Sequence, residues 1–154
     1  MVKLEIGPCY SKKNRGYTFN PHYCPDYDVI YLDINPPDFK CSRSIWIVAD
    51  AHNLPFRDDS IDEIFAGHLI EHLENPLQFL KECRRGLRRG GMVTVVTPNF
   101  LSMNAYLDPD HKHVFNFVKL RWLVSSLFPR KLRLLFKLIL LFLSDNLTVM
   151  GEKV

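Results

Sequence analysis

The sequence predicts a doubly wound α/β domain built on a mostly parallel sheet. Three observations carry that expectation. Five short segments rich in β-branched and aromatic residues recur between positions 3 and 97. Several are nearly continuous apolar runs rather than alternations, as in strands covered on both faces. Helical periodicity falls between and after them. A chain of 154 residues suits one domain, and 47% hydrophobic residues against 24% charged ones exclude general disorder.

The elements follow in order. Residues 3–7 (KLEIG) form a first strand ending at glycine. No helix precedes it, and the polar segment 8–28 reads as a loop. Residues 29–34 (VIYLDI) form a second strand, stopped by Asn35-Pro36-Pro37. Residues 45–51 (IWIVADA) and 61–67 (IDEIFAG) supply the third and fourth. Residues 92–97 (MVTVVT), between Gly90-Gly91 and Pro98-Asn99, supply the fifth.

Residues 76–87 carry Leu77, Leu80, Cys83 and Leu87 at helical spacing, with Asn75 as cap and Pro76 in the first turn. Gly90 is expected just past that helix, where a left-handed residue is wanted. Residues 116–128 and 130–143 read as two further helices parted at Pro129, and residues 146–154 as a closing strand. The most apolar stretch, 132–143, is interrupted by Arg133 and Lys137 and is shorter than the ~20 residues of a membrane span. No transmembrane segment is expected.

Charge is unevenly spread. Lys and Arg number 13 against 15 Asp and Glu over residues 1–116, but 7 against 2 over residues 117–154. A basic tail of this kind suits a solvated helix face, an acidic substrate, nucleic acid or a membrane surface. The helix over 130–143 has a narrow basic stripe and an otherwise apolar surface, so it is a candidate for burial against the sheet or in a homodimer contact. Cys9, Cys24, Cys41 and Cys83 form no C-x-x-C pair. With no secretory leader in MVKLEIG, the expectation is a reduced, cytoplasmic protein.

In an open parallel sheet, ligands bind beyond the carboxyl ends of the strands. Gly7 follows the first strand, where a side chain would block close approach. Asp33 ends the second, where a carboxylate can accept from both hydroxyls of a ribose. Asp50 ends the third, where it can accept from an adenine amino group. Each alone also suits a turn; the signal is their order, one per strand.

The run ADAHNLPFRDDSIDEIFAGHLIEHLENP, followed by FLKECRRGLRRGGMVTVVTPN, resembles the type 11 family of class I S-adenosylmethionine-dependent methyltransferases. The matching features are Asp50-Ala51, Leu54-Pro55-Phe56, Asp62, Ile70-Glu71-His72 and Gly90-Gly91. Upstream, LEIGP and YLDINPP resemble the subgroup with a short glycine loop. The resemblance covers residues 3 to 100. It implies a compact, Rossmann-like methyltransferase core over 1–154 that lacks N-terminal lid helices. Residues 1–100 would be the cofactor-binding part, and 101–154 a substrate-side loop, two helices and the closing strand.

The resemblance also implies S-adenosylmethionine as cofactor. Glu5, Ile6 and Gly7 would line its methionine part. Asp33, Ile34 and Asn35 would hold the ribose and adenine, with Asp50, Ala51 and His52 along the adenine ring. His68 would lie beside the sulfonium. The family's Gly-x-Gly reads Gly7-Pro8-Cys9 here, which puts a side chain at the third position.

Methyl transfer needs a base only where the acceptor must lose a proton. His68, His72, His111 and His113 are the candidates; a hydrogen-bonded pair of Glu71 and His72, and a polar loop at DPDHKHVF, are the structural alternatives. The H-E-x-x-H order is absent at His68, Glu71 and His72, and no metal site is expected.

The expected function is transfer of a methyl group to an unidentified small-molecule or glycan-like acceptor. Two alternatives stand beside it: a non-catalytic nucleotide-binding or interaction module on a reduced methyltransferase fold, and a nucleic-acid methyltransferase docking through its basic tail. Against the last, Asn35-Pro36-Pro37 continues to Asp38 and follows the second strand, so no Asn-Pro-Pro-Tyr motif is present.

Overall fold

A computed structural model describes residues 1–8, 29–36, 45–128 and 145–154. The expected loop over 8–28 from residue 9 onward, the helix over 130–143 with its dimer role, and Cys9 lie outside the described residues.

Six strands make one sheet: β1 (Lys3–Ile6), β2 (Val29–Asp33), β3 (Ile45–Val48), β4 (Ile61–Gly67), β5 (Leu87–Pro98) and β6 (Asn146–Glu152). Their order is β3-β2-β1-β4-β5-β6. The first five are parallel and β6 runs antiparallel to β5. The short central strand β1 buries Leu4 and Ile6 almost completely, and Glu5 between them as well, as a strand covered on both faces does although its sequence alternates. Strand order reverses at β1, between β2 and β4. Connections diverge there, and a crevice opens beyond the carboxyl ends.

Helix α1 (Pro76–Gly86) starts as its sequence dictates. Asn75 Oδ1 accepts from Gln78 N at 3.0 Å, and Pro76 occupies the first turn, where its missing N–H costs nothing. Its inner face buries Phe79, Leu80, Cys83 and Gly86. A short helix, α2 (Asn104–Leu107), was not expected from the sequence. Helix α3 (Phe117–Leu127) is capped by the Asn116 side chain, which accepts from Lys119 N at 2.8 Å, and it buries Leu120 and Val124. α3 packs on both α1 and β6.

Two expectations are corrected. Gly90 is left-handed, with φ of +78°, but it does not cap α1. The helix closes at Gly86, with extended Leu87 as its cap. Gly90 instead turns the chain inside β5, where the β4–β5 register shifts between Ile61 and Glu63. Its N–H donates to Lys153 O at 2.7 Å. Accordingly β5 begins at Leu87 rather than at position 92; exposed Arg88, Arg89 and Gly90 disguise its first turn as a loop. The strand limits at the ligand-facing end also shorten: β1 stops at Ile6, β2 at Asp33 and β3 at Val48. Gly7, Ile34 and Asp50 therefore sit just past their strands.

Among the described residues, no helix is long and apolar enough to cross a membrane.

Candidate functional site

The carboxyl ends of β1, β2 and β3 frame a cavity of about 580 Å³. Ile6, Gly7, Asp33, Ile34, Asp50, Ala51 and His52 line it, and so does His72 from beyond β4. Of the other residues singled out in the sequence, Glu5, Asn35, His68, His111 and His113 are not among its lining residues. Glu5 is buried within β1.

The backbone holds the three strand ends in step beyond their formal limits. Gly7 N donates to Leu32 O at 2.8 Å and Ala49 N to Asp33 O at 2.9 Å. Gly7 itself is left-handed, with φ of +66°. A Cβ there would meet the Leu69 side chain at 2.7 Å, so backbone turns toward the cavity where any larger residue would collide.

Asn35 acts on Asp33 rather than on the cavity. Its N–H donates to Asp33 Oδ1 at 2.9 Å, an Asx turn that fixes the carboxylate at the β2 tip.

Asp50 and His52 form a second such unit. Asp50 Oδ1 accepts from His52 N at 2.8 Å and contacts His52 Nδ1 at 2.7 Å. The backbone donor first, then the ring, holds the Asp50 carboxyl below the usual carboxylate range. His52 Nε2 accepts from Asn75 N at 3.2 Å. An accepting Nε2 places the proton on Nδ1, so a neutral His52 donates to Asp50. This ring thereby ties the end of β3 to the start of α1.

The opposite wall comes from the segment after β4. His68 is left-handed, with φ of +52°, a conformation that costs a non-glycine residue about 1–3 kcal/mol. Its Nδ1 lies 3.3 Å from Oε1 of Glu71, a carboxylate only 1% exposed. Glu71 O accepts from Lys112 N at 2.8 Å and from His113 N at 3.0 Å. The rings of His72 and His111 meet edge to face, 4.7 Å between centroids. All four candidate histidines are thus gathered around Glu71, two of them from beyond β5.

The sequence did not single out Leu69, Leu73, Glu74 or Lys112 as lining residues. Leu69 adjoins His68 and was within reach of motif reasoning. Lys112 was not: its Nζ reaches Glu74 Oε1 at 2.6 Å across a separation that only folding closes.

The Leu54-Pro55-Phe56 turn is clamped from α1. Arg85 donates to Leu54 O at 2.8 Å and Phe56 O at 2.8 Å, while Glu82 accepts from Leu54 N at 2.9 Å. Arg85 also pairs with Glu82 through both ends of its guanidinium, at 3.0 and 2.8 Å. This hydrogen-bonded arginine holds the Glu82 carboxyl below its ordinary value.

Residues 4–95, more than half of the chain, match the family described as "Methyltransferase domain", type 11. The chain belongs to that methyltransferase family. A probable S-adenosylmethionine-dependent methyltransferase of Mycolicibacterium smegmatis is 36% identical over 77 residues, covering 47% of this chain and 30% of the relative. A similarly named protein of Mycobacterium tuberculosis is 34% identical over 98 residues, covering 60% and 36%. The chain thus spans about a third of the length of these relatives. Among solved structures, an S-adenosylmethionine-dependent methyltransferase of Archaeoglobus fulgidus superposes with a TM-score of 0.66 at 16% identity, covering 82% of this chain and 76% of that one. It establishes the Rossmann-like methyltransferase fold. The family's cofactor is S-adenosylmethionine. The cavity residues fit it: a backbone turn open for close approach at Gly7, and one carboxylate each at the tips of β2 and β3.

Proposed function

We propose that this chain transfers a methyl group from S-adenosylmethionine to a small-molecule or glycan-like acceptor. The observation that carries the reading is the cavity at the sheet's reversal point, lined by Gly7, Asp33 and Asp50 from three successive strand ends.

In this reading Ile6 and Gly7, with buried Glu5 behind them, shape the wall for the methionine part. Asp33, set by the Asn35 N–H and flanked by Ile34, accepts from the ribose hydroxyls. Asp50, Ala51 and His52 form the adenine side, with the carboxylate kept ionised by His52. His68, at the end of β4, borders the reacting end. The cofactor supplies an electrophilic methyl carbon on a sulfonium. The protein's contribution is to hold that carbon and the acceptor in line. A base is required only for acceptors that must lose a proton, and the candidates for it are His72, which lines the cavity, and His68, His111 and His113 beside it around Glu71. We assign residues 1–100 to the cofactor and 101–154 to the acceptor side.

Calorimetric titration with S-adenosylmethionine and S-adenosylhomocysteine tests the reading, with Asp33→Ala as the control. Saturable binding that Asp33→Ala abolishes supports it. Absence of binding by a folded wild-type sample overturns it. Formation of S-adenosylhomocysteine in the presence of candidate acceptors then identifies the substrate class.

A further inference from the structure

We propose that Glu71, His72 and His111 bind a divalent transition-metal ion of zinc's chemical class beside the cofactor cavity. One ligand atom from each of the three lies within 4.8 Å of the other two. Two imidazoles and one carboxylate are a set that favours such an ion over magnesium or calcium, which prefer all-oxygen shells.

Burial is the first argument. The Glu71 side chain is 1% exposed, and among the described residues neither of its oxygens accepts a hydrogen bond. A buried carboxylate needs a compensating positive charge; His68 Nδ1, 3.3 Å from Oε1, supplies one only when its ring is protonated. A cation between Glu71 and the two rings supplies that charge directly.

The second argument is how the rings are held. His72 Nδ1 lies 3.3 Å from Asp110 O, and His111 Nδ1 lies 3.1 Å from Ala105 O. A carbonyl oxygen only accepts, so each Nδ1 is the donor and carries the ring's proton. Each Nε2 then keeps its lone pair for a ligand bond, with Asp108 Oδ2 standing 4.0 Å from that of His111. This is the outer-shell arrangement that orients metal-binding histidines.

The frame is stapled as well. Lys112 N and His113 N both donate to Glu71 O, so the segment carrying His111 is fixed against the segment carrying Glu71 and His72. Side-chain adjustment brings the ligand atoms within the ~4 Å that bonds of ~2.1 Å to one ion allow. Three protein ligands leave a position open in a four-coordinate site, and His72 also lines the cavity.

The inference does not rest on the methyl-transfer reading, but a bound ion would take His72 and His111 out of the set of candidate bases and leave His68 and His113. It also departs from the sequence expectation of no metal, which rested on residue order and on the family resemblance that already accounted for Glu71 and His72. His111 arrives from beyond α1 and β5, and no linear pattern records it.

The test is metal binding by the full chain, stripped with a chelator and titrated with Zn²⁺ against an indicator, and with Co²⁺ by its visible absorption. The expected result is saturable one-to-one binding, weakened about tenfold or more by His72→Ala and by His111→Gln. Lack of saturable wild-type binding overturns the proposal, as does binding that survives both ligand variants. His72 is only partly buried, so its variant and the wild type decide the matter even if His111→Gln folds poorly.

Discussion

Gly7 and Leu69 approach so closely that a methyl group does not fit between them: a Cβ on Gly7 would stand 2.7 Å from Leu69 Cδ1. The contact joins the end of β1 to the segment after β4, the two sides of the crevice. Gly7→Ala adds this clash to a positive φ of +66°. The expected outcome is a loss of about 1–3 kcal/mol in stability together with weaker S-adenosylmethionine binding, read by denaturant unfolding and calorimetry. Normal stability with normal binding would show that the turn relaxes freely.

A second steric pair lies at the β6 edge of the sheet. A Cβ on Gly151 in β6 would lie 2.8 Å from Phe128 Cγ, and Phe128 is fully buried where α3 ends. Gly151→Ala overpacks that joint and is expected to destabilise by about 1–3 kcal/mol. Adding Phe128→Leu should return part of the loss, so a double-mutant cycle shows non-additivity. Simple additivity would place the strain elsewhere.

Arg85 is expected to matter to stability more than an exposed ion pair does. It holds Leu54 O and Phe56 O as well as Glu82 and Asp58. Arg85→Ala leaves those carbonyls and the Glu82 carboxylate without their donor. The expected cost is about 2–3 kcal/mol, measured by chemical denaturation. By contrast, Lys112→Ala breaks a solvent-exposed pair with Glu74 and is expected to leave stability nearly unchanged.

The Glu82–Arg85 pair also sets a pH dependence. The folded Glu82 carboxyl binds its proton at lower pH than in the unfolded chain, whose ordinary value is 4.5. Its stabilisation is therefore complete above about pH 4.5–5 and is lost as pH falls through the depressed folded value. Unfolding of wild type and Glu82→Gln, followed from pH 7 to pH 3, should show a gap that is constant near neutrality and closes on acidification. A gap that widens toward acid would contradict the assignment.

His52 is expected to stabilise the join between β3 and α1. His52→Ala removes the acceptor of Asn75 N and the ring donor to Asp50. A loss of about 1–2 kcal/mol is expected, along with a rise of the Asp50 pKa toward its ordinary value, followed by NMR titration.

Local chemistry in the sequence determined the strand cores, the start of α1 at Asn75-Pro76, the cap of α3 at Asn116, and the order of Gly7, Asp33 and Asp50 along the chain. Apolar runs record burial, and caps and turns act within a few residues, so both are written locally. The entry into β5 escaped because Arg88, Arg89 and Gly90 are exposed where the strand bulges, and exposed residues carry no burial signal. Gly90 was correctly marked as left-handed, yet its purpose depended on Lys153, which pairs with it from just past β6. The tertiary structure alone decided which side chains meet: Arg85 on the Leu54–Phe56 turn, Lys112 on Glu74, and His111 and His113 around Glu71. Those contacts join residues far apart in the chain, and only the stacking of parallel strands brings their ends to one rim.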